Sequence, residues 1–356
     1  MDAIPDSHPS PHTADTIPTR MASPRYPSFA MVMQVRARHK PGGCRLPGVL
    51  PRAYTDVLDR QSGGNGMSAS RATTSNTIVP VLAGGGGRLS AHIGVLGAIA
   101  KLGLNYSTLV GVSGGSIVGA LAVTGHKLDE IHDIALATEF SRFSSQNLFS
   151  LLRTGGFSNG DSFQEWMHTL LAGRTFSDLD VDFHVVATDV RTGKPVVFSR
   201  ATHPDTPIAL AVRFSMSVPI LFSFKEYGEH LLVDGSILSE DALQRNWAGD
   251  TPVVVFKLRS SNRRAASKES MMPLRSYLEM LVNTFMTTMS REYINEQFWL
   301  STIIIDTGDI SPVDLHLTAD EKQQLYTTGY TTTLAVLPEK LARSGALAGS
   351  VSAGSS

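Results

Sequence analysis

Residues 77–121 read TIVPVLAGGGGRLSAHIGVLGAIAKLGLNYSTLVGVSGGSIVGAL. A short apolar run, a glycine-rich turn and a helix-type run follow one another, and then the same plan repeats. The run at 78–82 is apolar and β-branched, the pattern of a parallel strand covered on both faces. The stretch 83–87 breaks regular structure, and 91–102 sets Ile93, Leu96, Ile99 and Ala100 at helical spacing. In the second unit 108–110 reads as strand, 111–115 as turn and 117–123 as helix. Strand, tight turn and helix, twice over, predict a βαβ core and with it an α/β fold, a mostly parallel sheet between helices.

Composition narrows what such a core can serve. The chain has 356 residues, 42% of them hydrophobic and 18% charged, which suits a protein with a sizeable core. A net charge of -1 gives no overall field to draw nucleic acid or strongly anionic membranes. Cys44 is the single cysteine, so neither an intrachain disulfide nor a cysteine-based zinc site is expected. No apolar run reaches the length of a membrane span. The first residues, MDAIPDSHPSPH, lack the apolar stretch of a secretory signal. The expectation is a cytoplasmic protein or one that touches membranes peripherally.

Nine of the 18 prolines fall before residue 52, with little periodicity around them. A segment of this kind buries too little apolar surface to offset chain entropy, so 1–70 is expected to be disordered or weakly ordered. Its apolar patch, 28–35 (SFAMVMQV), reads as a docking arm or membrane-contact segment; the plainer alternative is a physiological start at Met67. A catalytic domain is expected over 75–342 and a flexible tail over 343–356. Within the domain, helices are predicted at 128–140, from about 161 with Asp161 or Ser162 as N-cap, at 208–216, at 274–299 and at 318–341. Strands are predicted at 183–188, 195–198, 221–227, 230–233, 251–258 and 301–306.

The second turn, Gly111-Val112-Ser113-Gly114-Gly115, matches G-x-S-x-G. A strand turning abruptly into a helix holds its central residue strained and presents the hydroxyl near a helix N-terminus, which favours negative charge. A packed Gly/Ser turn would show the same letters. A serine that attacks an ester needs a base and a place for the oxyanion. The first turn, Gly84-Gly85-Gly86-Gly87, offers backbone N–H groups with no side chains in the way. It lacks the Gly-Lys-Ser/Thr of a Walker loop, and Leu89 stands where a dinucleotide fingerprint needs its third glycine. Of the 11 histidines only His316 lies beyond residue 230, in a surface-type connection, and His92 reads as a packed residue. Asp234 ends an apolar strand, where open sheets gather their sites. A partly desolvated carboxylate has a raised pKa and can take a proton from serine directly. An ordinary Asp-Gly turn is the alternative.

Taken together, Leu82-Ala83-Gly84-Gly85-Gly86-Gly87-Arg88, Ala91-His92-Ile93-Gly94-Val95-Leu96, Gly111-Val112-Ser113-Gly114-Gly115-Ser116 and Val233-Asp234-Gly235 resemble the patatin-like phospholipases. The segments 187–193, 211–219 and 253–255 are similar too, in consistent order. The resemblance implies a three-layer α/β/α fold and acyl-ester hydrolysis on lipids, with no metal or cofactor. It implies Ser113 as nucleophile, Asp234 as its base, and an oxyanion hole around Gly85, Gly86 and Gly87 with Arg88 adjoining. Three features depart from the family pattern: Leu89 in place of glycine, Ser236 in place of glycine or alanine, and no Asn-x-Pro beyond it. Two other readings stay open, a short-chain esterase or thioesterase and, suggested by Leu89 and Ser236, a catalytically weak lipid-binding regulator. Phe222, Phe224 and Met271-Met272 are the candidates for membrane contact.

Overall fold

The computed structural model describes residues 76–143, 156–158, 160–237, 243, 245–260, 277, 280, 281, 284 and 296–351. All of them fall in one compact unit, Ala72–Ser356. The stretch 1–70, with its apolar patch and Met67, lies outside the described residues, as does Met271-Met272.

The twin units at the start build the centre of the sheet. β1 (Val79–Ala83) leads through the first glycine turn into α1 (Ser90–Lys101), and β2 (Thr108–Val112) leads through the second into α2 (Gly114–Val123). β1 and β2 pair in parallel, Val81 opposite Val110. The helices α3 (Leu128–Ala137), α4 (Asp161–Leu170) and α5 (Ile208–Ser215) follow, with β4 (Asp182–Asp189) and β5 (Lys194–Phe198) between the last two. Beyond them come β7 (Lys225–Tyr227), β8 (His230–Asp234), β9 (Val253–Arg259), β10 (Thr302–Asp306) and α6 (Ala319–Val351). The strand order is β10-β9-β1-β2-β4-β8-β7, with β5 also on β4; β3 (Gly156–Ser158) and β6 (Ile220–Phe222) form a separate pair. From β10 to β4 every pairing is parallel, whereas β5, β7 and β8 join antiparallel.

Alternation along the strands buries both faces. Val79, Val81 and Ala83 meet Val110, Val112, Val186 and Val255 on one side, where Leu243 and Trp247 cover them. Ile78 and Leu82 meet Leu109, Phe183, Val185 and Phe256 on the other. That second core is closed by Ile93 and Leu96 of α1, Ile117 and Leu121 of α2, Val212 of α5 and Leu325 of α6. The result is a mixed, mostly parallel sheet flanked by helices, as the sequence pattern predicts.

One edge of β4 positions the site. β5 occupies the opposite edge from Val185 to Asp189. On the first edge β2 pairs as far as the rung Val112–Val186, and β8 takes over at the next rung, Asp234–Ala187. β2 and β8 run toward each other and stop end to end. Gly235 makes the junction fit, since a Cβ there would stand 2.2 Å from the Val186 carbonyl oxygen and 2.9 Å from a Val112 methyl.

Several elements differ from their sequence-based expectation. α4 is capped by Gly160 at φ 69°, not by Asp161 or Ser162. A Cβ at 160 would lie 1.9 Å from Arg213 Nε, so the buried arginine dictates the cap. The run at 221–227 is interrupted at Ser223, whose N–H donates to Ser158 and whose carbonyl accepts from Arg213. Of the helix expected at 274–299, residues 277, 280, 281 and 284 are helical, Glu296–Ser301 is a 3-10 turn, and the rest lies outside the described residues. α6 is capped by Thr318, whose hydroxyl accepts from Glu321 N–H while its own N–H donates to the Glu321 carboxylate, and it continues past Leu341.

Candidate active site

Ser113 stands between β2 and α2 with φ 52° and ψ -128°, and with Ala172 it makes up the non-glycine residues at positive φ among those described. A conformation of this kind costs about 1–3 kcal/mol and persists only where its surroundings over-determine it. Here they do. The Ser113 N–H donates to Ser215 Oγ at 2.8 Å, and Ser215 Oγ–H donates in turn to the Val186 carbonyl at 2.6 Å. The Ser113 carbonyl accepts from the Ser116 N–H at 2.8 Å and the Ser116 hydroxyl at 2.6 Å.

Because β2 and β8 meet end to end, the residue after Val112 faces the last residue of β8. Ser113 Oγ–H donates to Asp234 Oδ2 at 2.6 Å, and Met216 Sδ lies 3.7 Å from Ser113 Oγ. Asp234 is fully buried. Its N–H donates to the Ser217 carbonyl at 3.0 Å, and its carbonyl accepts from Thr188 Oγ1 at 3.0 Å. Oδ1 accepts from the Ser236 N–H at 2.7 Å and from Ser236 Oγ–H at 2.5 Å. Burial pushes the carboxyl pKa above its ordinary value, against the pull of the Ser113 and Ser236 hydrogen bonds. A carboxylate so placed is a stronger base than one in water.

The first glycine turn is held by its carbonyls. The Gly84 carbonyl accepts from His92 Nε2 at 3.1 Å and from the Gly115 N–H at 3.0 Å. The Gly85 carbonyl accepts from the Arg88 N–H at 3.0 Å and from Arg88 Nε at 3.3 Å. In a trans peptide the N–H points opposite to the carbonyl before it. Gly85 N–H is thereby aimed away from His92, and Gly86 N–H away from Arg88. Among the described residues neither N–H has an acceptor. Gly85 and Gly86 hold φ values of 125° and 53°. A Cβ on Gly114 would stand 2.9 Å from Gly86 N, so the loop lies directly against the residue that follows Ser113.

The four residues expected around an oxyanion therefore divide. Among the described residues Gly85 and Gly86 keep free donors. Gly87 does not, because its N–H donates to the Pro312 carbonyl at 3.1 Å. Arg88 turns its guanidinium to Ser260 Oγ at 2.8 Å and Thr307 Oγ1 at 2.9 Å, and serves as a strut for the loop. Its burial lowers the pKa to about 10, which leaves it charged at neutral pH. His92 is buried and its pKa is lowered to about 4, chiefly by that burial, so it braces Gly84 as a neutral ring. Leu89 takes ordinary helical angles, φ -53° and ψ -26°, with its side chain in the core, so this position needs no glycine. His316 is exposed; its backbone N–H donates to Asp314 Oδ1. Phe222 is buried with the Arg213 guanidinium over its ring, which removes it as a surface contact, whereas Phe224 is exposed.

Sequence reasoning did not single out Ser215, Ser260, Thr307 or Pro312. Ser215 sits inside the similar segment 211–219, which was the available signal. The other three are common residue types in connections and carry none.

Residues 81–243 match the family model described as patatin-like phospholipase. The uncharacterized protein YqhO of Bacillus subtilis is 25% identical over 280 residues, covering 70% of this chain and 94% of YqhO. Human patatin-like phospholipase domain-containing protein 6 is 29% identical over 206 residues, 55% of this chain but 14% of that protein. The crystal structure of VipD from Legionella pneumophila shares the fold at a TM-score of 0.50 and 14% identity, over 74% of this chain and 67% of VipD. On this sequence match and this fold, residues 81–243 carry a patatin-like phospholipase domain.

Proposed function

We propose that the chain hydrolyses fatty-acyl esters of lipids with Ser113 as nucleophile and Asp234 as its base, in a domain spanning 75–342. The observation that carries this reading is the 2.6 Å hydrogen bond from the strained Ser113 hydroxyl to a fully buried carboxylate. Ser113 Oγ attacks the ester carbonyl while its proton passes to Asp234 Oδ2. The N–H groups of Gly85 and Gly86 receive the charge that develops on the carbonyl oxygen. As the tetrahedral intermediate collapses, Asp234 returns the proton to the leaving alcohol. The same carboxylate then activates a water that releases the fatty acid from Ser113. Asp234 is a direct base here, and no histidine takes part.

Among the described residues no helix is long and apolar enough to cross a membrane. Access to lipid in this reading comes from peripheral contact by a cytoplasmic protein, with Phe224 on the contacting surface.

The test is lipid-product mass spectrometry with fluorophosphonate labelling. Ser113→Ala and Asp234→Asn should each lower turnover by at least about 10³-fold and leave the fold intact. No labelling of Ser113 in folded wild type would refute the enzyme reading, and near-full activity in Asp234→Asn would refute the dyad. A substrate series of rising chain length separates lipid hydrolysis from short-chain esterase activity, since loss of rate beyond short acyl groups favours the latter.

A further inference from the structure

Among the described residues, the far side of the Asp234 carboxylate is served by one residue. Oδ2 accepts the Ser113 hydroxyl, and both donors on Oδ1 come from Ser236, its N–H at 2.7 Å and its hydroxyl at 2.5 Å. A carboxylate turns easily about its last torsion. Two donors on one oxygen fix its plane and leave the other oxygen facing the serine. Ser236 also borders the glycine loop, since its Cβ lies 3.8 Å from where a Cβ on Gly84 would stand. At this position the family resemblance calls for glycine or alanine, neither of which offers a hydroxyl.

Resting on the Ser113–Asp234 reading above, we propose that Ser236 is a positioning residue whose hydroxyl holds the base in its working orientation and sets the pH at which it is ready. During acylation the proton moves from Ser113 Oγ to Asp234 Oδ2 as the Oγ–carbon bond forms, and then from Oδ2 to the leaving oxygen as the ester bond breaks. Ser236 donates to Oδ1 throughout and neither gains nor loses a proton. A hydrogen bond to the charged form of an acid favours that form. Ser236 thus opposes the effect of burial on Asp234.

Other charged groups near the site have partners elsewhere. On β4, Asp189 is bound by His230 Nδ1 and Thr192 Oγ1, and Asp182 pairs with His184. Arg213 of α5 donates to Ser217 and Ser223. Arg88 and His92 are bound behind the glycine loop. None of these donates to Asp234. Glu240 and Asp241 lie outside the described residues.

The experiment compares wild type, Ser236→Ala and Ser236→Thr in the full chain. Rates on a soluble acyl ester are measured across pH and expressed per phosphonate-titrated site. In parallel the Asp234 carboxyl is titrated by carbon NMR, assigned by difference from Asp234→Asn. In Ser236→Ala the acid limb of kcat/KM should move up by about one pH unit, the scale of a lost hydrogen bond to a charged group. At a pH below the limb kcat/KM should fall about ten-fold, with the Asp234 titration moving the same way, and Ser236→Thr should restore both. A Ser236→Ala profile that superimposes on wild type, or an Asp234 titration that does not move, overturns the proposal. A wild type that neither turns over nor labels at Ser113 defeats the hydrolase reading instead, and the carboxyl titration still decides the role of Ser236.

Discussion

The two glycine turns look alike in sequence and are fastened in different ways. The turn that carries Ser113 is held from within residues 81–243, by Ser116, Val186, Ser215 and Asp234. The turn that carries Gly85 and Gly86 is held in large part from the C-terminal third of the chain. Pro312 takes the Gly87 N–H, and Ser260 and Thr307 hold the arginine that pins the Gly85 carbonyl. Behind them α6 crosses α1 backbone to backbone, so closely that a Cβ on Gly94 would stand 2.1 Å from the Tyr326 carbonyl oxygen. The geometry of the proposed nucleophile is thus internal to the family-matched segment. The geometry of the loop that would receive the developing charge depends on residues beyond it.

The contrast can be broken most sharply at Gly86. A methyl group there would meet the Pro312 carbonyl oxygen at 1.9 Å on a backbone at φ +53°, and it would displace a candidate oxyanion donor. Gly86→Ala should cut kcat by roughly 10²–10³-fold, the loss typical of one oxyanion donor, with an unchanged circular dichroism spectrum. Near wild-type kcat would show that this turn does not receive the charge.

Ser215→Ala tests the other turn. It leaves the buried Ser113 N–H without its acceptor, at a cost of about 1–3 kcal/mol. A lower Tm and a roughly ten-fold smaller kcat are expected, read by calorimetry and per-site rates. If neither changes, the Ser113 turn holds its own shape without Ser215.

The smallest effect should come from Thr307→Val, which removes one of the two hydroxyl acceptors of Arg88. A fall of about two- to five-fold in kcat at constant KM, with full phosphonate labelling of Ser113, is the expected outcome for one neutral hydrogen bond at a remove. A lower Tm with kcat intact would confine the outer fastening to stability.

What could be read in the sequence follows the range of the forces involved. The twin units are legible because strand and helix periodicities and glycine turns are local signals. The same locality marks Ser113 between two of them and Asp234 at the end of an apolar strand. The partition of the glycine loop was not legible. Gly87 looks equivalent to Gly85 and Gly86 until Pro312, far along the chain, claims its N–H. Arg88 reads as a charge beside the site until Ser260 and Thr307 draw it away. The cap of α4 went unrecognised for a related reason: Asp161 has the right chemistry, but the bulk of Arg213 forces a left-handed glycine one residue earlier.

The end-to-end meeting of β2 and β8 on a single edge of β4 has a consequence for how the chain can vary in length. Ser113 directly follows the last rung of β2 and Asp234 stands on the last rung of β8, so their separation is a matter of ladder counting. A one-residue deletion inside β8 would shift the rungs on one side of it by about 3.3 Å and turn every side chain there to the opposite face. Asp234 could no longer reach the serine, even if the sheet closed over the loss. At the far end of β8, in the turn around Gly228 where a Cβ would meet nothing within 4 Å, an added residue can be absorbed before the Tyr227–His230 rung begins the ladder. Insertions in this part of the chain should therefore be tolerated at the turn, and changes of length excluded from the strand that ends in the acid.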